Sequence, residues 1–292
     1  MFISTEINSL AALGDNKKVL KILKEAGFTA YDYSMFYDSH AEKEVLDADD
    51  YIERAKAFRA YADGLGLPCN QAHAPFPSAT SDAFPRFGMT TEEYNAFAHK
   101  KIERAIEVAG VLGAKVIVVH PWNYYTPEEN AALLLSFEAT AKKAGVKIGV
   151  ENMWNWNAGE PTACAAACSH HDDFKKHMDL LPEDTFVACL DIGHAEMAGL
   201  NTSAVQMIET LGDRLQSLHI HDNDQLRDQH VLPYLGKIDF SAMLAALKKI
   251  GYQGDITMEA DRFLPKFPVG LLGEATRFLA SVANYLKCEL EK

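Results

Sequence analysis

The sequence predicts an α/β protein folded as one (β/α)8 barrel, and three observations carry that expectation. Eight short β-branched runs alternate with helix-patterned segments along 292 residues. The links from helix to strand are short and carry glycine, whereas those from strand to helix are long and irregular. Residues able to bind a metal collect at the C-terminal ends of the β-branched runs, which in such a barrel open on one face.

The strand-like runs occupy residues 2–7, 29–34, 69–74, 115–120, 147–151, 186–191, 216–221 and 254–259. Their continuous Val/Ile/Leu character suits parallel strands buried on both faces. A 3.6-residue period is clearest in residues 92–112 and 240–250, and Asp239 suits the N-cap of the latter. EAGFT, GLGLP, LGAK, KAGVK and IGYQGD are the short returns to the next strand. Residues 75–90, 152–170 and 222–238 are the long links that would build the active face. No boundary, low-complexity tract or fixed-period repeat interrupts this order, so residues 1–292 are expected to form one domain.

Composition narrows the function classes. A net charge of −13, from 41 acidic and 28 basic residues, disfavours non-specific attraction to nucleic acid or anionic membranes. No Lys/Arg run is longer than a pair. No apolar stretch approaches the roughly 18–20 residues that span a bilayer, and FISTEI follows the first Met without a basic leader, which points to the cytoplasm. Five scattered cysteines do not make a disulfide framework.

Six runs end on a ligand-type residue: His73, His120, Glu151, Asp191 with His194 just after, His219 with His221, and Glu259. Glu151, Asp191, His219 and Glu259 together offer three carboxylates and an imidazole. That oxygen-rich set suits one divalent ion, Mn2+ or Mg2+ ahead of Zn2+. Three acids at the ends of apolar strands are costly to bury without a cation. His73, His120, His194, His221, Asp228 and His230 are candidates for substrate contact or for additional metal, up to three Zn2+.

These residues also sit in recognisable runs: HAP at 73–75, EN at 151–152, DIGH at 191–194 and LHIHDND…DQH…GKIDF at 218–240. In them the chain resembles the xylose isomerase-like TIM barrels, which include sugar and sugar-phosphate isomerases and epimerases and endonuclease IV. The resemblance runs from Phe2 to about Leu286. It implies a metal held by Glu151, Asp191, His219 and Glu259, with Glu151 and Glu259 also acting as the acid/base pair on opposite faces of a sugar. Loss of the α-proton would then give a metal-stabilised enediolate, and His194 would hold a substrate oxygen. Two departures stand out. Tyr234-Leu235-Gly236 replaces the family's G-E-G, and Gln225 stands where ketose epimerases place an arginine, with Arg227 the nearest candidate.

The other readings are an endonuclease IV-like phosphodiesterase, whose nine zinc-ligand types all have counterparts, a lyase or deglycosylase of a modified sugar, and a non-catalytic sugar-binding subunit. The segment Asn152–Asn157 lacks the glycine of the nucleases. Phe76, Trp122, Tyr124, Tyr125, Trp154 and Trp156 crowd the same face. Trp122 and Trp154 are candidate substrate walls, and the same aromatics also suit loop packing or the interface of a homo-oligomer. Cys164, Cys168, His170 and His171 read as a loop entering a helix rather than a zinc knuckle. Glu6 and Asp32 close the first two strands without an assigned role. No phosphate-binding glycine loop with a basic partner is evident, which favours an unphosphorylated carbohydrate substrate.

Overall fold

The computed structural model describes residues 1–36 and 45–292. Its barrel strands are β1 (Ile3–Thr5), β2 (Tyr31–Ser34), β3 (Cys69–His73), β4 (Val116–Val119) and β5 (Lys147–Glu151). A short antiparallel ribbon, β6 (Asn155–Trp156) with β7 (Ala163–Cys164), interrupts the long loop after β5. The barrel resumes with β8 (Phe186–Asp191), β9 (Leu215–His219) and β10 (Ile256–Met258). β2 to β5, β8 and β9 form one parallel ladder, and β1 pairs with β10. Single parallel bridges join the two sheets, Glu6 with Asp32 and Ile220 with Met258. The eight strands thereby close on themselves.

The helices are α1 (Asn16–Ala26), α2 (Tyr51–Gly64), α3 (Thr91–Leu112), α4 (Pro127–Leu135), α5 (Glu138–Ala144), α6 (His171–Asp179), α7 (Ile192–Ala195), α8 (Ala204–Leu211), α9 (Phe240–Lys249) and α10 (Leu272–Glu291). α10 packs on α1 as well as on α9, so the outer layer also closes. In α3, Tyr94, Ala98, Ile102, Ala105, Ile106, Ala109 and Leu112 are buried, a spacing that lays one stripe against the sheet. Thr90 and Glu93 form a capping box at its start, and Thr126 with Glu129 repeats the device before Pro127. Asp239 accepts from the Ser241 and Ala242 amides, the N-cap expected of it.

The apolar core lies between the sheet and the helices. The barrel's inside differs from the all-apolar strands expected. Ser4 Oγ donates to Thr257 Oγ1 at 3.0 Å, and Asn70 Nδ2 donates to the same atom at 3.3 Å. Ser217 Oγ donates to Gln71 Oε1, and Gln71 Nε2 to Asp32 Oδ2 at 2.9 Å. β3 is not a neighbour of β9 or β10, so the Asn70–Thr257 and Ser217–Gln71 bonds cross the barrel, whereas the other two join neighbouring strands. Parity explains Ser4, Gln71, Ser217 and Thr257, since period-two alternation sends the apolar half of each strand outward to the helices; Asn70 falls at an irregularity in the β2–β3 register. The polar half is buried as a hydrogen-bonded layer beneath the catalytic-type residues.

Candidate active site

His73, Glu151, Asp191 and His219 are the last residues of β3, β5, β8 and β9, and His120 and Glu259 directly follow β4 and β10. All face the C-terminal mouth. Glu151, Asp191, His219 and Glu259 are buried, and one donor atom of each lies within 4.8 Å of the others. His219 Nδ1 is the hub, 3.2 Å from Glu151 Oε1 and 3.2 Å from Glu259 Oε2.

Two further sets flank this quartet. His73 groups with Glu151 and His219, its Nε2 3.3 Å from Glu151 Oε2. His120 stands beside them, with Nε2 2.9 Å from the same oxygen and 3.1 Å from His73 Nε2. On the other side, His194, His221, Asp228 and His230 converge. His230 Nε2 is 3.0 Å from Asp228 Oδ2, His221 Nε2 is 3.1 Å from both Asp191 oxygens, and the His221 and His230 rings stack at 3.8 Å.

Backbone carbonyls orient the imidazoles. His73 Nδ1 donates to Ala74 O at 2.7 Å, His194 Nδ1 to Asn152 O at 2.9 Å, and His230 Nδ1 to Glu259 O at 2.9 Å. A carbonyl only accepts, so each Nδ1 carries the proton and each Nε2 turns toward the site. Asn152 also exchanges hydrogen bonds with the Asp191 backbone, accepting at 2.7 Å and donating at 3.0 Å. Asp191 in turn caps α7, accepting from the His194 amide at 2.6 Å.

The rest of the HIHDND run is scaffolding. Asp222 accepts from the Asn223, Gly236 and Ile238 amides, and Asn223 Nδ2 donates to Gly193 O at 2.9 Å. Gly193 is required by close approach: a Cβ there would lie 1.9 Å from His221 Cε1. Arg227, the nearest substitute for the epimerase arginine, points away, bound to Asp224 at 2.6 Å and 70% exposed. The long 222–238 link is therefore locked by its own polar groups.

Electrostatics separate the acids. Burial opposes charge on Glu151, but the adjoining His219 and His120 rings outweigh it and hold its carboxyl well below the usual range. Burial, aided by Glu151 and Asp191, pushes Glu259 well above it despite His219. Asp191 is also lowered, because His194 and His221 overcome its burial. Burial resists charge on His194, yet Asp191 and Asp228 push it up to about 10; His230, against the same penalty, rises to about 9 beside Asp228. Burial holds His120 below the usual imidazole range.

A divalent cation fits this set. Three buried carboxylates meet at one point, three imidazoles present Nε2, and His219 Nε2 and Asp228 Oδ1 are buried without a hydrogen-bond partner. A proton and a cation compete for the same lone pairs there. Glu151, Asp191, His219 and Glu259 have the ligand types to hold it.

The aromatics divide. Trp122 lines a cavity beside His120 together with Tyr124 and Phe76, whereas Trp154 packs on a small cluster of Ala163, Met197 and Leu200. Phe76 stacks on His120 at 4.6 Å. Neither Cys164 nor Cys168 joins a metal-type set among the described residues, although His170, His171 and Asp172 form one at the start of α6. Sequence reasoning missed Asn152 as a clamp and Arg86, which lines the same cavity as Trp122. The EN run hinted at the first, and no local pattern marks the second.

The family described as xylose isomerase-like TIM barrel matches residues 20–282. The chain belongs to that family. An uncharacterised protein of Methanocaldococcus jannaschii is 33% identical over 199 residues, covering 64% of this chain and 62% of that relative, less than two thirds of its length. Among solved structures, L-ribulose 3-epimerase superposes with a TM-score of 0.71 at 17% identity, covering 99% of this chain and 94% of the other. The IOLI protein with a bound zinc atom gives 0.72 at 16% identity, covering 99% and 98%. These likenesses establish the barrel fold. No helix among the described residues is long and apolar enough to cross a membrane.

Proposed function

We propose that this protein is a divalent-metal-dependent epimerase or isomerase of a sugar or sugar derivative, acting as one domain. The observation that carries the reading is the quartet, in which Glu151 and Glu259 flank His219 Nδ1 at 3.2 Å each with opposite protonation tendencies. Two carboxyl groups pushed apart in this way suit a base and an acid. When bound, a divalent cation supplies electrophilic stabilisation of the negative charge that grows on a substrate oxygen. The solved L-ribulose 3-epimerase and the zinc-bearing IOLI barrel support this chemistry for the fold.

The chain's own residues do the proton work. A Glu151 oxygen removes the proton from the carbon beside the carbonyl, leaving the electron pair on the substrate. The Glu259 carboxyl returns a proton to the opposite face, and solvent exchange resets both groups. His194, fixed through Nδ1 by the Asn152 carbonyl, donates from Nε2 to a sugar oxygen. Wash-in of solvent deuterium across a panel of ketoses tests this directly. Exchange that stops on chelation and returns with Mn2+ is the expected result; full turnover after exhaustive chelation would sink it.

One observation favours a second reading. The flanking sets around His73 and around His194, Asp228 and His230 offer places for two more cations, as a hydrolase of phosphodiesters would need. Elemental analysis separates the two: one ion per chain supports the sugar reading, and three tightly bound zinc ions the hydrolase.

A further inference from the structure

We propose that the cavity beside His120 is a subsite for an anionic group on the substrate, a carboxylate or a phosphate, held by Arg86. The inference rests on the sugar reading for the identity of the ring, not for the identity of the anion. The cavity measures about 390 Å³. His120 forms part of its wall, and His120 Nε2 is 2.9 Å from Glu151 Oε2, so the cavity continues the quartet's site outward. Phe84 stacks on Tyr124 at 4.3 Å, and Trp122 meets Tyr124 edge-on at 5.1 Å. Flat apolar walls of this kind suit a ring, and the polar atoms between them decide what the ring carries.

Arg86 is the lysine- or arginine-type cation among them. Arg86 lies on the loop between β3 and α3, half-buried in the cavity wall, with no carboxylate bridged to it among the described residues. Every other arginine among the described residues donates to a carboxylate or a carbonyl, Arg104 to the Leu46 carbonyl for one, so an arginine without a partner here is an exception. Its counterparts at the mouth are committed, Arg227 to Asp224 and Arg262 Nη1 to the Asp228 carbonyl. Trp122 is 5% exposed, and its Nε1–H has no acceptor. Asn123 Oδ1, also buried and unmatched, can accept from a sugar hydroxyl.

An oxyanion in the cavity gives Arg86 the partner it lacks. The guanidinium presents a planar fork that matches two oxygens of a carboxylate or phosphate, without a glycine loop. The missing loop was the ground for expecting an unphosphorylated sugar, and a side-chain cation removes that ground. A neutral second ring would fill the volume equally well but would leave Arg86 unpaired.

Calorimetric titration of the full-length protein with two matched pairs decides the matter: D-fructose against D-fructose 6-phosphate, and D-glucose against D-glucuronate. At least one anion is expected to bind tenfold or more tightly than its neutral partner, and the stronger pair names the group. Arg86→Gln is expected to abolish that advantage with neutral-sugar affinity retained, and Arg86→Lys to keep part of it. Equal affinities within both pairs, no binding by either pair, or a preference that survives Arg86→Gln would overturn the proposal. Should Arg86→Gln lose neutral binding too, Arg86→Met, which keeps the apolar stem and removes the charge, takes its place. A weakened anion preference there supports the subsite, and an intact one overturns it. Deuterium exchange is read separately. Its absence from every sugar, with the Arg86-dependent preference intact, sinks the epimerase reading and leaves the subsite standing.

Discussion

The two ends of the barrel hold charge in opposite ways. At the foot, where the strands begin, a cavity of about 530 Å³ is larger than the one of about 390 Å³ beside His120. Its charges answer one another near solvent. Lys115 Nζ lies 3.4 Å from Asp255 Oδ2, Lys147 Nζ donates to Gln216 Oε1 at 3.0 Å, and Asp255 Oδ1 accepts from the Phe2 amide at 2.7 Å. In the cavity lining a single amide oxygen among the described residues, Asn70 Oδ1, is left over. At the mouth, acids are buried against acids, and His219 Nε2, Asp228 Oδ1 and Trp122 Nε1 are unmatched. Cavity volume therefore does not locate the chemistry here. Buried polar groups that lack partners do, because each costs stability unless something binds to it.

Six substitutions test that contrast, in falling order of effect apart from one control at the foot. Glu151→Gln or Glu259→Gln at the mouth is expected to lower kcat by about 10²–10⁴-fold, the usual contribution of a positioned acid or base. Lys147→Ala at the foot should leave deuterium exchange unchanged. Equal losses at both ends would erase the distinction.

Glu6 sharpens it through pH. Burial, resisted by Ser9, pushes its carboxyl up to about 7. Below the ordinary carboxyl value of 4.5 the folded and unfolded chains both hold this proton. As pH rises from there to about 7 the unfolded chain ionises first, and the folded state loses roughly 3 kcal/mol relative to it. Glu6→Gln should remove that fall in denaturant melts between pH 4.5 and 8; parallel wild-type and variant profiles would refute it.

Gly193→Ala drives a methyl into the His221 ring. A cost of about 1–3 kcal/mol is expected, read as a lower Tm with His221 displaced from Asp191. The smallest effect belongs to the foot. Lys115→Ala removes a pair whose lysine side chain is 66% exposed and should cost no more than about 1 kcal/mol, diminishing further as salt is added.

Much of this was legible before any coordinates. β5 and β8 span the residues their β-branched runs mark, and the remaining strands are trimmed at their ends, save that β9 also starts one residue earlier, at Leu215. The runs end on donors because period-two alternation delivers every second residue to the barrel's inside, where a terminal acid or histidine meets the others. Other residues carried signals that did not separate roles. Asp222 looks like a ligand and holds a loop; Trp122 and Trp154 look alike and pack in different places. Arg86 lies in a region without periodicity, and its only mark is a missing partner.

Alternation, glycine-bearing returns and donor-tipped runs by themselves pointed to the barrel, to the end where the donors gather and to the quartet, since each is a short-range consequence of strand geometry. Tertiary structure alone decided how the donors partition. Glu151 is shared between two sets because β3, β4, β5 and β9 converge on it. His221 reaches Asp191 only because Gly193 leaves room, and Arg86 has no acid beside it among the described residues. Such partition depends on distances between residues far apart in sequence, which local pattern does not encode.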